Sequence, residues 1–95
     1  MRAPIHPGTI LADELEFIGM SGTQLAQKLL VPPNRISQIL NGKREITADT
    51  ALRLGRAFGM SAGFWMNLQK TYEMDLAMQA HGKEIEAVQP LKSVA

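Results

Sequence analysis

Asn34, Arg35 and Gln38 are the residues best equipped for chemistry in this chain. An Asn or Gln amide can pair with both N6 and N7 of adenine, and an Arg fork can pair with O6 and N7 of guanine. On a helix starting near Pro33 these three side chains fall in the first two turns, while Ile36 and Ile39 face the other way. The first turns of a recognition helix are the part that enters a major groove. Each side chain singly reads as a solvated surface residue; three together at this place read as a base-reading set. Ser37 is small enough to reach a phosphate or a base. Ser21 and Thr23, with the backbone N–H groups of the helix they cap, offer a phosphate site. Asn41, Lys43 and Arg44 follow the polar set and can clamp the next phosphates. Arg53 and Arg56 lie further on, where structural ion pairs compete with a phosphate role.

The charge distribution agrees with a local polyanion footprint. The chain has 95 residues and a formal net charge of +1. Its cations concentrate in residues 21–56, where Lys28, Arg35, Lys43, Arg44, Arg53 and Arg56 face only Glu45 and Asp49. The first twenty residues are acidic through Asp13, Glu14 and Glu16, and residues 57–95 are close to neutral. A neutral chain with a basic middle suggests one anionic contact rather than general stickiness. A solvated surface with chance clustering is the plain alternative from charge alone.

The elements that must position these residues are helices. Pro7 suits a first helical turn, and Ile10, Leu11, Leu15 and Ile18 follow at helical spacing up to a stop at Gly19. Ser21 or Thr23 caps a second helix with Leu25, Ala26 and Leu29 inside. Pro32 and Pro33 end that segment. Pro33 opens a third helix, with Ile36, Ile39 and Leu40 inside and Asn41-Gly42 as its stop. Thr47 caps a fourth, with Asp49 at its positive end and Ala51, Leu52, Leu54 and Phe58 inside, as far as Gly59. Ser61 caps a fifth, carrying Trp65, Leu68, Tyr72 and Leu76 to about Ala80, and Gly82 breaks it. The expected division is a helix-turn-helix domain over residues 1–80, its motif at about 22–41, and a short extension over 81–95. Apolar Ile85, Val88 and Leu91 make that extension a short strand, an ordered tail or a partly disordered one.

Residues 22–41 meet the demands of a helix-turn-helix. Two short helices that cross steeply must touch near their turn. Small Ala26 permits the approach, Val31 closes the corner, and Ile36 and Ile39 pin the second helix. LAQKLLVPPNRISQILNGKR resembles the helix-turn-helix of Xre-type repressors. With HPGTILADELEFIGMS before it and ITADTALRLGRAFGMSAGFWMNLQKTYEMDLA after it, the chain resembles the HigA-type antitoxins of bacterial toxin–antitoxin modules over about residues 6–77. The resemblance implies an all-α, five-helix Xre/lambda-repressor-like domain. It implies a homodimer that binds a near-palindromic double-stranded operator, represses its own operon and neutralises a cognate RelE-like toxin, a class of ribosome-dependent endoribonucleases. Two positions depart from the family. Leu30 stands where Gly is usual, at a cost of about 1 kcal/mol if its φ is positive. Pro32 replaces a Ser or Thr cap worth about 1 kcal/mol, while the proline pair restricts the unfolded chain.

Other chemistries find little support. There is no Cys, which removes disulfides, a thiol nucleophile and a Cys-ligated zinc. His6 and His81 have no metal-ligand spacing, and His6 reads as a cap for the first helix. Asp13, Glu14 and Glu16 lack a catalytic partner, and the Ser and Thr residues lack a matched His and Asp. Neither an enzyme nor a bound cofactor or metal is expected. Trp65 and Tyr72 read as core rather than as a ligand box. Trp65, Leu68, Tyr72 and Leu76, with Phe64, Met66, Met74 and Met78, exceed what one small bundle readily buries, so this helix is the expected dimer contact. No apolar run is long enough to cross a membrane, and the N-terminus has no signal-peptide core; a cytoplasmic protein is expected. The alternatives to an antitoxin are a stand-alone Xre-type repressor and a protein-binding helical adaptor.

Overall fold

The computed structural model describes residues 3–91. Five helices follow one another: α1 (Pro7–Ile18), α2 (Gly22–Leu29), α3 (Pro33–Leu40), α4 (Ala48–Phe58) and α5 (Ala62–Glu86). The starts follow the capping chemistry. His6 Nδ1 accepts the Gly8 N–H at 2.8 Å, so this histidine caps α1 in its neutral form. For α2, Ser21 rather than Thr23 is the cap, in a reciprocal box with Gln24. Thr47 and Ser61 accept N–H groups at the starts of α4 and α5.

The ends of α1 and α4 use Gly19 and Gly59 in the left-handed region, where a Cβ is unwelcome. Helix α2 ends in the same geometry on Leu30, at φ 61°. The leucine therefore carries the strain expected of it, and its side chain is 83% exposed. The start of α3 also departs as expected: Pro32 occupies the cap and supplies no side-chain hydrogen bond.

Each helix contributes one face to a single core. Leu11 and Leu15, Leu25 with Ala26 and Leu29, Ile36 with Ile39, Ala51 with Leu54, and Trp65 are all buried. Ile46, in the loop between α3 and α4, joins them at 1% exposure. Gly8 decides how α1 meets α3: a Cβ there would lie 1.9 Å from the Ile39 carbonyl oxygen, so only glycine permits this approach. Leu52, expected inside, is 64% exposed, and Ile18, at helical spacing on α1, is 44% exposed. Ile18 is in the last turn of α1, and Leu52 lies on the outer side of α4, where neighbouring Ala51 takes the inward position.

The C-terminal end differs from expectation. Helical backbone continues past Ala80, breaks at His81 (φ −133°, ψ 21°) rather than at Gly82, and resumes to Glu86. Ile85 is therefore helical and not in a strand, because the kink at His81 absorbs the interruption within the helix. Val88 and Leu91 are exposed in irregular chain. The part of the expected extension at 92–95 lies outside the described residues. Among the described residues no helix is long and apolar enough to cross a membrane.

Candidate nucleic-acid interface

The site is built by α2 and α3, which cross at a tight turn and share a buried seam. Leu25, Ala26 and Leu29 of α2 and Ile36 and Ile39 of α3 fill that seam. Burial of these apolar groups fixes the rotation of α3, so its opposite side must face outward. Asn34, Ser37 and Gln38 are exposed there, and Arg35 is half-buried at its edge.

Hydrogen bonds orient this outer face. Arg35 Nη1 donates to Asp49 Oδ2 at 2.6 Å. The same oxygen accepts from Arg53 Nε at 3.0 Å. Arg53 then reaches the end of α2, where its Nη1 donates to the Leu29 carbonyl at 2.8 Å and to the Leu30 carbonyl at 3.3 Å. Carbonyls at a helix end lack intrahelical partners, and a cation suits the negative end of the helix dipole. Arg53 thus clasps the left-handed turn at Leu30 and, through Asp49, holds Arg35. The two arginines keep the Asp49 carboxyl below its ordinary pKa, chiefly through the hydrogen bond from Arg35 and then that from Arg53. Of the two readings open for Arg53, the ion-pair reading is the one observed. Arg56 is exposed.

Gln38 is oriented from the other side. Its Oε1 accepts from Arg44 Nη1 at 3.3 Å, which leaves the amide NH2 as the outward donor. Ser37 Oγ donates to the Asn34 carbonyl at 3.2 Å. That bond uses the hydroxyl proton and leaves the oxygen lone pairs, so a Ser37 contact to a phosphate must compete with it. Asn41 ends α3, and Lys43 N–H returns to the Gln38 carbonyl at 2.8 Å. Asn41, Lys43 and Arg44 are exposed in this loop. At the start of α2, Ser21 and Thr23 are exposed. The structure thus brings the residues expected to read bases and the basic loop onto one flank of α3, with the α2 cap beside the same motif.

Two positioning residues escaped sequence reading. Asp49 reads in sequence as a favourable charge at a helix start, and only the fold shows it between two arginines. Gln69 is 3% exposed, and its Oε1 accepts the buried Ile46 N–H at 2.8 Å while its Nε2 donates to Glu73 at 3.0 Å. It anchors the loop that carries Lys43 and Arg44 to α5. Its place on the face that also bears Trp65 and Tyr72 was the available signal.

The expected dimer face is divided by the structure. Trp65 is 1% exposed within the single chain, so it is a core residue and offers nothing to a partner. Its indole Nε1 is buried without a hydrogen-bond partner. Tyr72 is half-buried with its ring edge-on to His6, centroids 4.9 Å apart. Leu68 lines an open groove with Ile5, Ile10 and Phe64, and Leu76 is 40% exposed. The acidic residues Asp13 and Glu16 are exposed on α1, with Glu14 half-buried.

Fold and interface together define a helix-turn-helix protein, and the helix-turn-helix family model HTH_3 matches residues 18–65. The chain is 46% identical to virulence-associated protein I of Dichelobacter nodosus over 92 residues, which span 96% of this chain and 84% of that protein. An addiction module antidote protein of a HigA family from Coxiella burnetii has a similar structure, with a TM-score of 0.91 and 55% identity, covering 96% of this chain and 100% of that one. The antitoxin HigA of Pseudomonas aeruginosa, solved with the higBA promoter, matches with a TM-score of 0.88 and 46% identity, covering 94% and 99% of the two chains. The chain belongs to the HigA family of helix-turn-helix antidote proteins, which is not a family of enzymes.

Proposed function

We propose that this chain is a sequence-specific DNA-binding antitoxin that represses its own operon and neutralises a co-encoded RelE-like toxin. The observation that carries this reading is the outer face of α3, where Asn34, Arg35 and Gln38 stand together with Arg35 and Gln38 held by Asp49 and Arg44. Prior orientation matters because a flexible side chain loses rotamer entropy when it docks, and a tethered one loses less. Asn34, Arg35 and Gln38 read base edges; Lys43 and Arg44, with Asn41, Ser21, Thr23 and Ser37, hold phosphates. The Pseudomonas relative seen with its promoter supports the DNA arm of this reading.

The protein acts as a cytoplasmic homodimer, without catalytic activity or cofactor. Leu68 and Leu76, with Phe64 and Met74, leave apolar surface on α5 that a second copy covers across a two-fold axis. Two recognition helices then enter successive major grooves about 34 Å apart, which calls for a near-palindromic operator. The acidic face of α1, with Asp13, Glu14 and Glu16, is a contact for a basic toxin.

Titrations of Arg35→Ala and Lys43→Ala on operator and random DNA at several salt concentrations test the assignment. Arg35→Ala is expected to lose about 1–3 kcal/mol on the operator and to relax selectivity at one position of each half-site. Lys43→Ala is expected to weaken both DNAs alike and to flatten the salt dependence. Equal losses on both DNAs for Arg35→Ala would make Arg35 a phosphate contact. Unchanged binding by both variants would refute docking through α3. Co-purification with the product of the neighbouring gene tests the toxin arm.

A further inference from the structure

The first residues of α3 are apolar, uncapped and uncovered. Pro32 holds the cap position with extended backbone (φ −61°, ψ 143°) and no side-chain cap, Pro33 is the first helical residue, and both are exposed. Proline has no N–H to donate, and the Arg35 N–H is taken by the Pro32 carbonyl at 3.1 Å. This end of the helix is therefore poorly built to hold a phosphate through backbone donors. Pro33 suits a first helical turn, and Pro32, at an ordinary proline backbone geometry, restricts the unfolded chain but gives up the side-chain cap that Ser, Thr, Asp or Asn would supply. The recognition-helix residues nearest this end are those that face the groove floor. On a base-pair edge in the major groove, the one apolar feature is the thymine C5-methyl group.

We infer that Pro32 and Pro33 read thymine: each operator half-site carries a thymine whose methyl group seats against the proline rings, beside the bases read by Asn34 and Gln38. The inference rests on docking through α3 and assigns what its first residues select. Cytosine at that position has no methyl group to bury, and uracil removes the methyl group while leaving every hydrogen-bonding edge intact.

The test uses the full chain and duplexes selected by it from a random pool. Each thymine of the selected half-site is replaced in turn by uracil. The expected result is one or two positions per half-site where uracil weakens binding about fourfold, the change equivalent to ~0.8 kcal/mol for one buried carbon. Substitution in both half-sites should weaken it about 15-fold. Pro33→Ala, and Pro32→Ser, which restores a cap, should bind the thymine and uracil duplexes alike at those positions. The inference is overturned if no thymine is sensitive, or if both proline variants keep the full discrimination. If Arg35→Ala still weakens the selected duplex more than random DNA in that case, only the proline reading fails. If the chain selects no sequence, docking through α3 fails with it.

Discussion

Replacing Gln69 by methionine tests how the basic loop is held. The side chain keeps its length but loses its strong acceptor, and the Ile46 N–H, 2.8 Å from Gln69 Oε1, loses its partner. Ile46 is 1% exposed, so water does not readily take over. A buried donor left unsatisfied costs about 1–3 kcal/mol. Part of this is offset, because methionine is easier to bury than an amide and Glu73, released from Gln69 Nε2, returns to solvent. The expected net loss is about 1–2 kcal/mol, or roughly 4–16 °C in Tm for a domain of this size. Urea denaturation followed by far-UV circular dichroism measures it, at one fixed protein concentration because the proposed dimer would make apparent stability depend on concentration. Hydrogen exchange at the Ile46 amide supplies a local readout and should accelerate in the variant. Gln69→Glu is the sharper control. It keeps an acceptor for Ile46 but faces Glu73 with a second carboxylate, so it should be destabilised most at neutral pH and recover as one carboxyl is protonated. A Gln69→Met protein within about 0.5 kcal/mol of wild type, with an unchanged Ile46 exchange rate, would refute the reasoning.

Three further perturbations have definite outcomes. Gly8→Ala places a methyl 1.9 Å from the Ile39 carbonyl oxygen and should cost about 3 kcal/mol or more in urea midpoint experiments. Leu30→Gly relieves a left-handed leucine, about 1–2 kcal/mol, against about 0.5–1 kcal/mol of added chain entropy. With the side chain 83% exposed, a small net stabilisation is expected, and a clear loss of stability would show that Leu30 packs usefully. Burial lowers the His6 pKa from 6.5, partly opposed by a hydrogen bond to the Arg44 backbone. The unfolded chain therefore binds this proton more readily, so the His6 contribution is whole above pH 6.5 and is lost as pH falls through the lower folded-state value. His6→Asn, which can still cap, should remove that acid loss from urea midpoints measured across this range.

Helix starts and stops were legible in the chain because they depend on groups within four residues of one another. The His6 and Thr47 caps, the Gly19 and Gly59 stops and the strained turn at Leu30 are local backbone chemistry, and the structure has each of them. The buried seam of the helix-turn-helix was legible for a related reason: helical periodicity places Leu25, Leu29, Ile36 and Ile39 on facing sides before any tertiary contact exists. The same logic left Asn34 and Gln38 facing outward. It failed where periodicity could not weigh one neighbour against another. Leu52 beside Ala51 looks like a core residue until α4 is rotated by its contacts, and the small alanine takes the inside. Only the tertiary structure decided the partners of charges and amides. Asp49 meets Arg35 across 14 positions of sequence, Arg53 meets the Leu29 carbonyl across 24, and Gln69 meets Ile46 across 23. Such pairs leave no periodic trace, because one polar group finds another wherever the fold brings them within about 3 Å. The reach of α5 past Ala80 was a matter of degree rather than of partners: a glycine weakens a helix by only about 1 kcal/mol, and the backbone took up the interruption at His81 instead.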